Sequence, residues 1–450
     1  MTKLSIIALL SSALPLIACS PVGPEFRGAQ ASVPASYVEG GATVAGDLTM
    51  LPWWRDLQDA RLTSLLERGL AQSLDIQAAM ARVAEAEATL RGTGGADLAT
   101  GDLVASVVRV DSEGASASTR STAGVSGSLV LDLFGGRLRQ QQQAQAELDA
   151  RRFDVGTARL AVLASVAGNY IDARYFQEAL ALTRRSIETR RQTLALVQEQ
   201  RNLGEVTELE VAQAEAGLNL AQADLPALEA AFLRANYAIA TLLAAQAGPI
   251  IQMMTAGAPQ PNPPSSDAVG VPADLLRNRP DVRAAERELA AAVSAVGVAE
   301  AALYPSINLS GNVTVGDSES WSFGPTLSIP LLNRPVLAAR RDAAVARVQQ
   351  AEIEWRRTVL AAVEEVQSAQ STFARSRQRL AAQQRAVASY TQLVDLSREA
   401  YQLGTTTLFA LLDAERSLAD AQISAATARR DVAADWLALQ IAAGKGWAVR

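Results

Sequence analysis

Apolar residues recur at every seventh position as Val359, Val366, Phe373, Leu380, Val387, Val394 and Tyr401. That period is the seam of a long helix wound against a neighbour, not the core of a compact globule. After Gly404 the stripe resumes as Leu411, Leu418, Ala425, Val432 and Leu439, so the stretch that begins at Val336 reads as one long helical hairpin. The same pattern occurs earlier: Val166, Ala173, Leu180, Ile187 and Leu194, then Gly204, then Val211, Leu218, Leu225, Phe232 and Ile239. Leu203-Gly204 aligns with Leu403-Gly404, Ala214-Glu215 with Ala414-Glu415, and Ala221-Gln222 with Ala421-Gln422, without a gap. Unrelated coiled coils have no reason to share both arms and the turn at one offset, so the hairpin is present twice.

Composition fits extended helices, since 49% of the 450 residues are hydrophobic but only 5% are aromatic. A formal charge of −6 argues against nucleic acid, which requires clustered excess Lys and Arg. Histidine is absent and there is a single cysteine, which removes the usual metal clusters, Cys/His nucleophiles and Ser/His/Asp triads. Gly92, Gly94 and Gly95 lack both the GKS/T ending and the dinucleotide spacing of a phosphate loop and read as a turn. No cofactor is expected.

At the N-terminus, Lys3 precedes the apolar run Leu4 to Leu10, and Leu16-Ile17-Ala18-Cys19 follows. This is a secretory signal, residues 1–18, too short to remain as a spanning helix. LIAC resembles a bacterial lipobox, which implies cleavage before Cys19, lipidation of its thiol and acylation of the new amino group. Ser20 in place of Asp fits outer-membrane sorting of such lipoproteins. An extended arm, 19–56, carries Pro and Gly. Two modest helices follow, about 57–71 and 73–91, and Trp53-Trp54 reads as packing.

From Leu98 the period changes to two. Ala123, Val125, Gly127, Leu129, Leu131 and Leu133 alternate with Thr122, Gly124, Ser126, Ser128 and Asp132. Strands are expected at about 98–110 and 122–134. A second pair is expected at about 306–315 and 321–329, where Ile307, Leu309, Val313, Val315, Trp321, Phe323, Leu327 and Ile329 form one face. Gly114 and Asp317 mark the turns. The strands match the roughly 9 to 11 residues that cross a bilayer when tilted. A membrane sheet must close on itself, and the smallest barrels have about eight strands, so several chains must contribute to one barrel.

Each strand pair feeds directly into a hairpin, with Pro335 suited to a helix start. The first arm, about 136–202, would be roughly 100 Å long at 1.5 Å per residue. The expected organisation is a first repeat over 57–246 with its hairpin at about 136–246, and a linker at 247–272. A second repeat then spans 273–445, with a helix at about 280–302 and a hairpin at about 335–444, before a tail at 446–450. The fold class is mixed α and transmembrane β: a duplicated strand pair plus long helical hairpin.

RPDVRAAERELAAAVSAVGVAEAALYPSINLSG (279–311), LDLFGGRLR (131–139), WWRDLQDARLTSLLERGL (53–70) and YQLGTTTLFALLDAERSL resemble the TolC-like outer-membrane efflux factors, and more closely their NodT/OprM-like lipoprotein branch. The resemblance implies a homotrimer with a twelve-stranded β-barrel, four strands per protomer, continuing into a periplasmic α-barrel. It also implies a passive conduit without enzymatic activity, in the Gram-negative outer membrane, working with a periplasmic adaptor and an inner-membrane pump of the RND type. Asp413 occupies the family position of an aspartate ringing the periplasmic constriction, and Arg416 a basic position of the OprM-like members. Ala410 stands where TolC has a second aspartate. Tyr401 matches a tyrosine that ties neighbouring helices in the closed state, Glu210 falls at the carboxylate position on the first hairpin, and Thr406 replaces an arginine of that latch. Leu203, Gly204, Leu403 and Gly404 mark the adaptor-facing turns.

The rival reading is a lipid-anchored periplasmic adaptor or coiled-coil scaffold. An adaptor would carry one hairpin interrupting a β-rich domain and would lack the two amphipathic strand pairs. A carboxylate-dependent hydrolase ranks below both, because the acids are spread along helix faces as solvating charge.

Overall fold

The structure, a computed structural model, describes residues 21–30, 32–39, 46–94, 98–264, 270–317 and 319–448. The signal stretch 1–18 and Cys19 lie outside the described residues. The chain forms two compact units. One draws on Met1–Ser32, Ala79–Asp154 and Asp281–Val359, the other on Val33–Ala78, Val155–Pro280 and Leu360–Arg450.

The first unit contains a four-stranded antiparallel sheet, β1 (Ala99–Ser112), β2 (Ala115–Leu131), β3 (Ser306–Gly316) and β4 (Ser320–Ser328), in that order. The two strand pairs of the two repeats therefore join edge to edge, β2 against β3, in a register that lines up like faces. Leu103 lies opposite Val125, Val125 opposite Val313, and Val313 opposite Trp321. The next row, on the other face, is Asp102, Ser126, Asn312 and Ser322. Since successive side chains point to opposite faces, these rows give the sheet one apolar and one hydroxyl-rich side across all four strands, although Val104, Val108 and Val110 of β1 share the face of Asp102. Among the described residues nothing covers the apolar side: Leu103 is 78% and Trp321 79% exposed. β2 starts at Ala115, directly after the turn glycine Gly114 (φ 96°), rather than near 122. Its first residues are Ser, Thr, Ala and Arg, which pair through the backbone yet carry no apolar alternation to reveal a strand.

The helices build the rest. A 3₁₀ turn at Trp53–Leu57 leads into α1 (Ala60–Gln72) and α2 (Leu74–Arg91). The first hairpin consists of α3 (Gly136–Asn202, 67 residues), α4 (Glu208–Ala223) and α5 (Leu225–Leu242). After it come α6 (Ala247–Thr255), α7 (Pro272–Asn278) and α8 (Pro280–Ala301). The second hairpin is α9 (Arg334–Gln402, 69 residues) and α10 (Leu408–Ala442). Two details depart from the sequence reading. The segment read as a linker holds α6 and the start of α7. The return arm of the first hairpin is also broken at Asp224, whereas the second runs uninterrupted. Pro226 is the cause, because its ring removes a helical N–H and crowds the preceding turn. Ala426 stands at the matching place in the second copy.

Trp53, Trp54 and Trp436 form the aromatic core of the second unit, with edge-on ring centroids 5.5 and 5.8 Å apart. Beside it, Asp59 caps α1 by accepting from the amides of Arg61 and Leu62. Its second oxygen accepts from the Tyr170 hydroxyl, which in turn accepts from the buried guanidinium of Arg174 at 2.9 and 3.0 Å.

Candidate functional site

The two hairpin turns have nearly the same backbone. Gly204 (φ 79°) and Gly404 (φ 70°) take the left-handed conformation, and the next amides reach back, Glu205 to the Gln200 carbonyl and Thr405 to the Ala400 carbonyl, each at 2.9 Å. This closing pattern favours glycine after a helix and satisfies carbonyls that the helix leaves open. The turns present large apolar side chains to solvent: Leu203 and Leu209 at one, Leu403 and Phe409 at the other. Leu209 and Phe409 were not singled out from the sequence, where they pass for ordinary heptad neighbours.

Behind the turns the two hairpins share a core. Val197 of α3, Val211 of α4, Tyr401 of α9, and Leu408 and Leu411 of α10 are buried together, with Leu194, Leu196, Val206 and Leu412 packed against them. Around it lie the polar residues expected from the sequence. The Tyr401 ring is buried, and its hydroxyl donates to Oε1 of Gln200 at 2.7 Å. Burial, and then the nearby Glu210 carboxylate, push the Tyr401 phenol above its ordinary pKa, so it stays protonated and able to donate. Glu210 does not take that proton within the chain. It sits in the first turn of α4, where its Oε2 accepts from the Thr207 amide at 2.7 Å and the Thr207 hydroxyl at 3.0 Å. The expected Tyr401 to Glu210 bond is thus replaced by Tyr401 to Gln200, because the helix start supplies Glu210 with free donors closer at hand.

Asp413 and Arg416, one turn apart on α10, form an exposed ion pair at 2.5 Å. Between them in sequence, Glu415 turns inward and is 5% exposed. Its Oε1 accepts from the Thr193 hydroxyl at 2.8 Å and from Arg398 at 3.0 Å. Sequence reasoning used Glu415 only to align the two copies. Its burial follows from which hairpin packs against it, which no local pattern reports.

The arm that follows Cys19 is held in a socket of the first unit. The Val22 amide donates to the Phe134 carbonyl at 3.0 Å, and the buried Arg139 donates to the carbonyls of Val22 and Gly23, each at 3.1 Å. Gly23 has φ 84°, and a Cβ there would come within 2.5 Å of the Gly297 Cα. Phe26 then packs on Ala146, Ala290 and Ala291. Among the described residues no group of three or more His, Cys, Asp or Glu side chains is placed to hold a metal.

The sequence profile of a family described as outer membrane efflux protein matches residues 65–245 and 271–445. A relative named Nodulation protein T, from Rhizobium leguminosarum bv. trifolii, is 36% identical over 441 residues, covering 95% of this chain and 94% of its own. The pyoverdine export outer membrane protein OpmQ of Pseudomonas aeruginosa is 30% identical over 464 residues, covering 98% and 97%. Among solved structures, the outer-membrane channel OprN superposes with a TM-score of 0.86 at 28% identity, covering 95% of this chain and 99% of that one.

Proposed function

The chain belongs to the outer membrane efflux protein family, and on that premise we propose that it acts as a homotrimeric export duct gated at its hairpin turns. It is the outer-membrane channel component of an efflux pump in a Gram-negative bacterium, a conduit and not an enzyme, with an extension into the periplasm. Outer-membrane components of such systems work with an adaptor and an inner-membrane pump.

The trimer is supported chiefly by the sheet. Among the described residues β1 and β4 each have a partner on one side only, and a row of apolar residues runs across the full width of one face. Unpaired strand edges are excluded from lipid. Three copies would join β4 of one to β1 of the next and close twelve strands, with the hydroxyl-rich face lining the lumen. A lumen lined mostly by Ser, Thr and Asn discriminates little among solutes, so substrate choice belongs to the pump, here of the RND type.

The gate reading places Asp413 and Arg416 at the constriction, with Tyr401 and Glu210 behind it. The exposed turns around Leu203-Gly204 and Leu403-Gly404 face the adaptor. Adaptor and pump open the duct by binding the splayed form better than the resting one. Cys19 carries the lipid, and the Arg139 socket holds the arm that follows it.

The test is to purify the full-length protein from outer membranes in detergent and measure its mass and its conductance in planar bilayers. A heat-resistant trimer with a small resting conductance supports the duct. A monomer released by carbonate washing, without channel activity, would return the rival scaffold reading. Cross-linking in cells before purification identifies the adaptor and pump.

A further inference from the structure

The second hairpin carries a groove that its seam does not fill. Val366 and Phe373 of α9 and Val432 and Leu439 of α10 are buried along that seam. Beside it, α9 and α10, with Ala164 of α3, border an open hollow of about 540 Å³ whose apolar lining includes Ala369, Ala434, Leu437, Ala438 and Ile441. Short alanine side chains leave the space free. At about 100° per residue, Ala434, Ala438 and Ile441 lie on the side of α10 away from Trp436, which packs on Trp53, so the hollow opens away from the aromatic core.

The charged lining has one sign. Glu364, Glu365 and Asp435 border the hollow, and none of its described lining residues is Lys or Arg. Arg279 answers Glu365 at 2.5 Å. Glu364 is exposed and has no ion-pair partner among the described residues. Asp435 is half-buried, and burial pushes its carboxyl above the ordinary pKa, as does Asp431, against the Ser376 hydroxyl and Arg430. Arg430 is itself bonded to Asp431 at 2.7 Å, so Asp435 is left partly desolvated and weakly compensated.

We propose that this groove binds amphipathic organic cations, molecules with an apolar body and one positive charge. An apolar hollow with a few converging polar groups is the ordinary build of a small-molecule site. The body displaces water from Leu437 and Ile441, and the charge rests between Glu364 and Asp435. A neutral solute would bury Asp435 further without a counter-charge, and an anion would be repelled by both carboxylates. The site sorts solutes by charge and apolar surface alone, so finer choice stays with the pump. It uses none of the gate residues.

The experiment uses the full-length protein in nanodiscs of phosphatidylcholine, with rhodamine 6G as the cation and its fluorescence anisotropy as the readout, after subtraction of empty discs. Saturable binding is expected. Fluorescein, which has the same three-ring body but is anionic, should bind at least about tenfold more weakly. Glu364→Gln and Asp435→Asn should each weaken rhodamine 6G about fivefold, as for the loss of one partly exposed ion pair. Ala438→Phe fills the hollow from an exposed position and should abolish binding with particle mass and melting temperature unchanged. Asp413→Ala should leave binding as it is, so the groove and the gate stand or fall separately. The absence of saturable binding above empty discs, as when a neighbouring copy covers the groove, would overturn the proposal. Equal affinity for the two dyes would do the same, as would affinity unchanged by Ala438→Phe or by both charge variants.

Discussion

The hydroxyl of Tyr401 donates to Gln200 at 2.7 Å, tying the last turn of α9 to the last turn of α3 beside the turn of each hairpin. One side chain thereby joins the two copies of the repeat at the end where their chains reverse.

Tyr401→Phe keeps the ring in the shared core and removes only that bond. A net loss of about 1 kcal/mol is expected, as for a typical intramolecular hydrogen bond. The open level of the isolated channel should be occupied about fivefold more often. Single-channel recording checks this, and Glu210→Gln should have a smaller effect, since Glu210 serves its own helix start.

Asp413 and Arg416 are exposed, so their pair contributes little to stability, at most about 1 kcal/mol. Asp413→Ala should leave the melting temperature nearly unchanged while raising conductance and lowering preference for cations. Reversal potentials across a salt gradient measure the second effect. An unchanged conductance would remove Asp413 from the constriction.

Lys445 is buried, with its ammonium 2.8 Å from Oε1 of Gln440. Burial pushes its pKa down from 10.5 to about 8, against the opposing pull of the Asp56 carboxylate. Below pH 8 folded and unfolded chains both hold the proton, and the folded state carries the full cost of the buried charge. Between about 8 and 10.5 the unfolded chain binds more protons, so this contribution to stability rises with pH. Lys445→Met should raise the melting temperature at pH 7 by a few degrees, after the loss of the Gln440 bond is subtracted. The advantage should shrink as pH climbs past 8, which thermal melts at pH 7 and pH 10 would show.

Arg139 donates to two backbone carbonyls of the arm from a buried position. Charged hydrogen bonds of this kind contribute about 1.5–3 kcal/mol each. Arg139→Ala should free the arm, and trypsin should cut at Arg27 at least about tenfold faster than in the unaltered protein. Equal cleavage rates would show that Phe26 and the glycine contacts suffice to hold it.

Much of this architecture was readable in the chain because it is periodic. The seven-residue stripes through Val359 and Val166 specify helices with one buried seam, and the alternation through Val125 and Val313 specifies strands with one apolar face. Period is a local property, and it survives without knowledge of neighbours. The early part of β2 escaped because backbone pairing there is not accompanied by apolar alternation. The helix α6 escaped because proline-rich sequence follows it closely.

The roles of individual polar residues followed a different logic. Glu215 and Glu415 occupy the same place in the same repeat, and nothing local separates them. The second copy packs Glu415 against Thr193 and Arg398, while the first leaves Glu215 in water. Likewise Tyr401 found Gln200, not Glu210, because the start of α4 had already claimed that carboxylate. The sequence determined which face of a helix or strand is apolar wherever the period is regular, since that depends on spacing alone. Only the tertiary structure decided which charges are buried and whom they meet, since hydrogen bonding and desolvation depend on atoms brought together from distant parts of the chain.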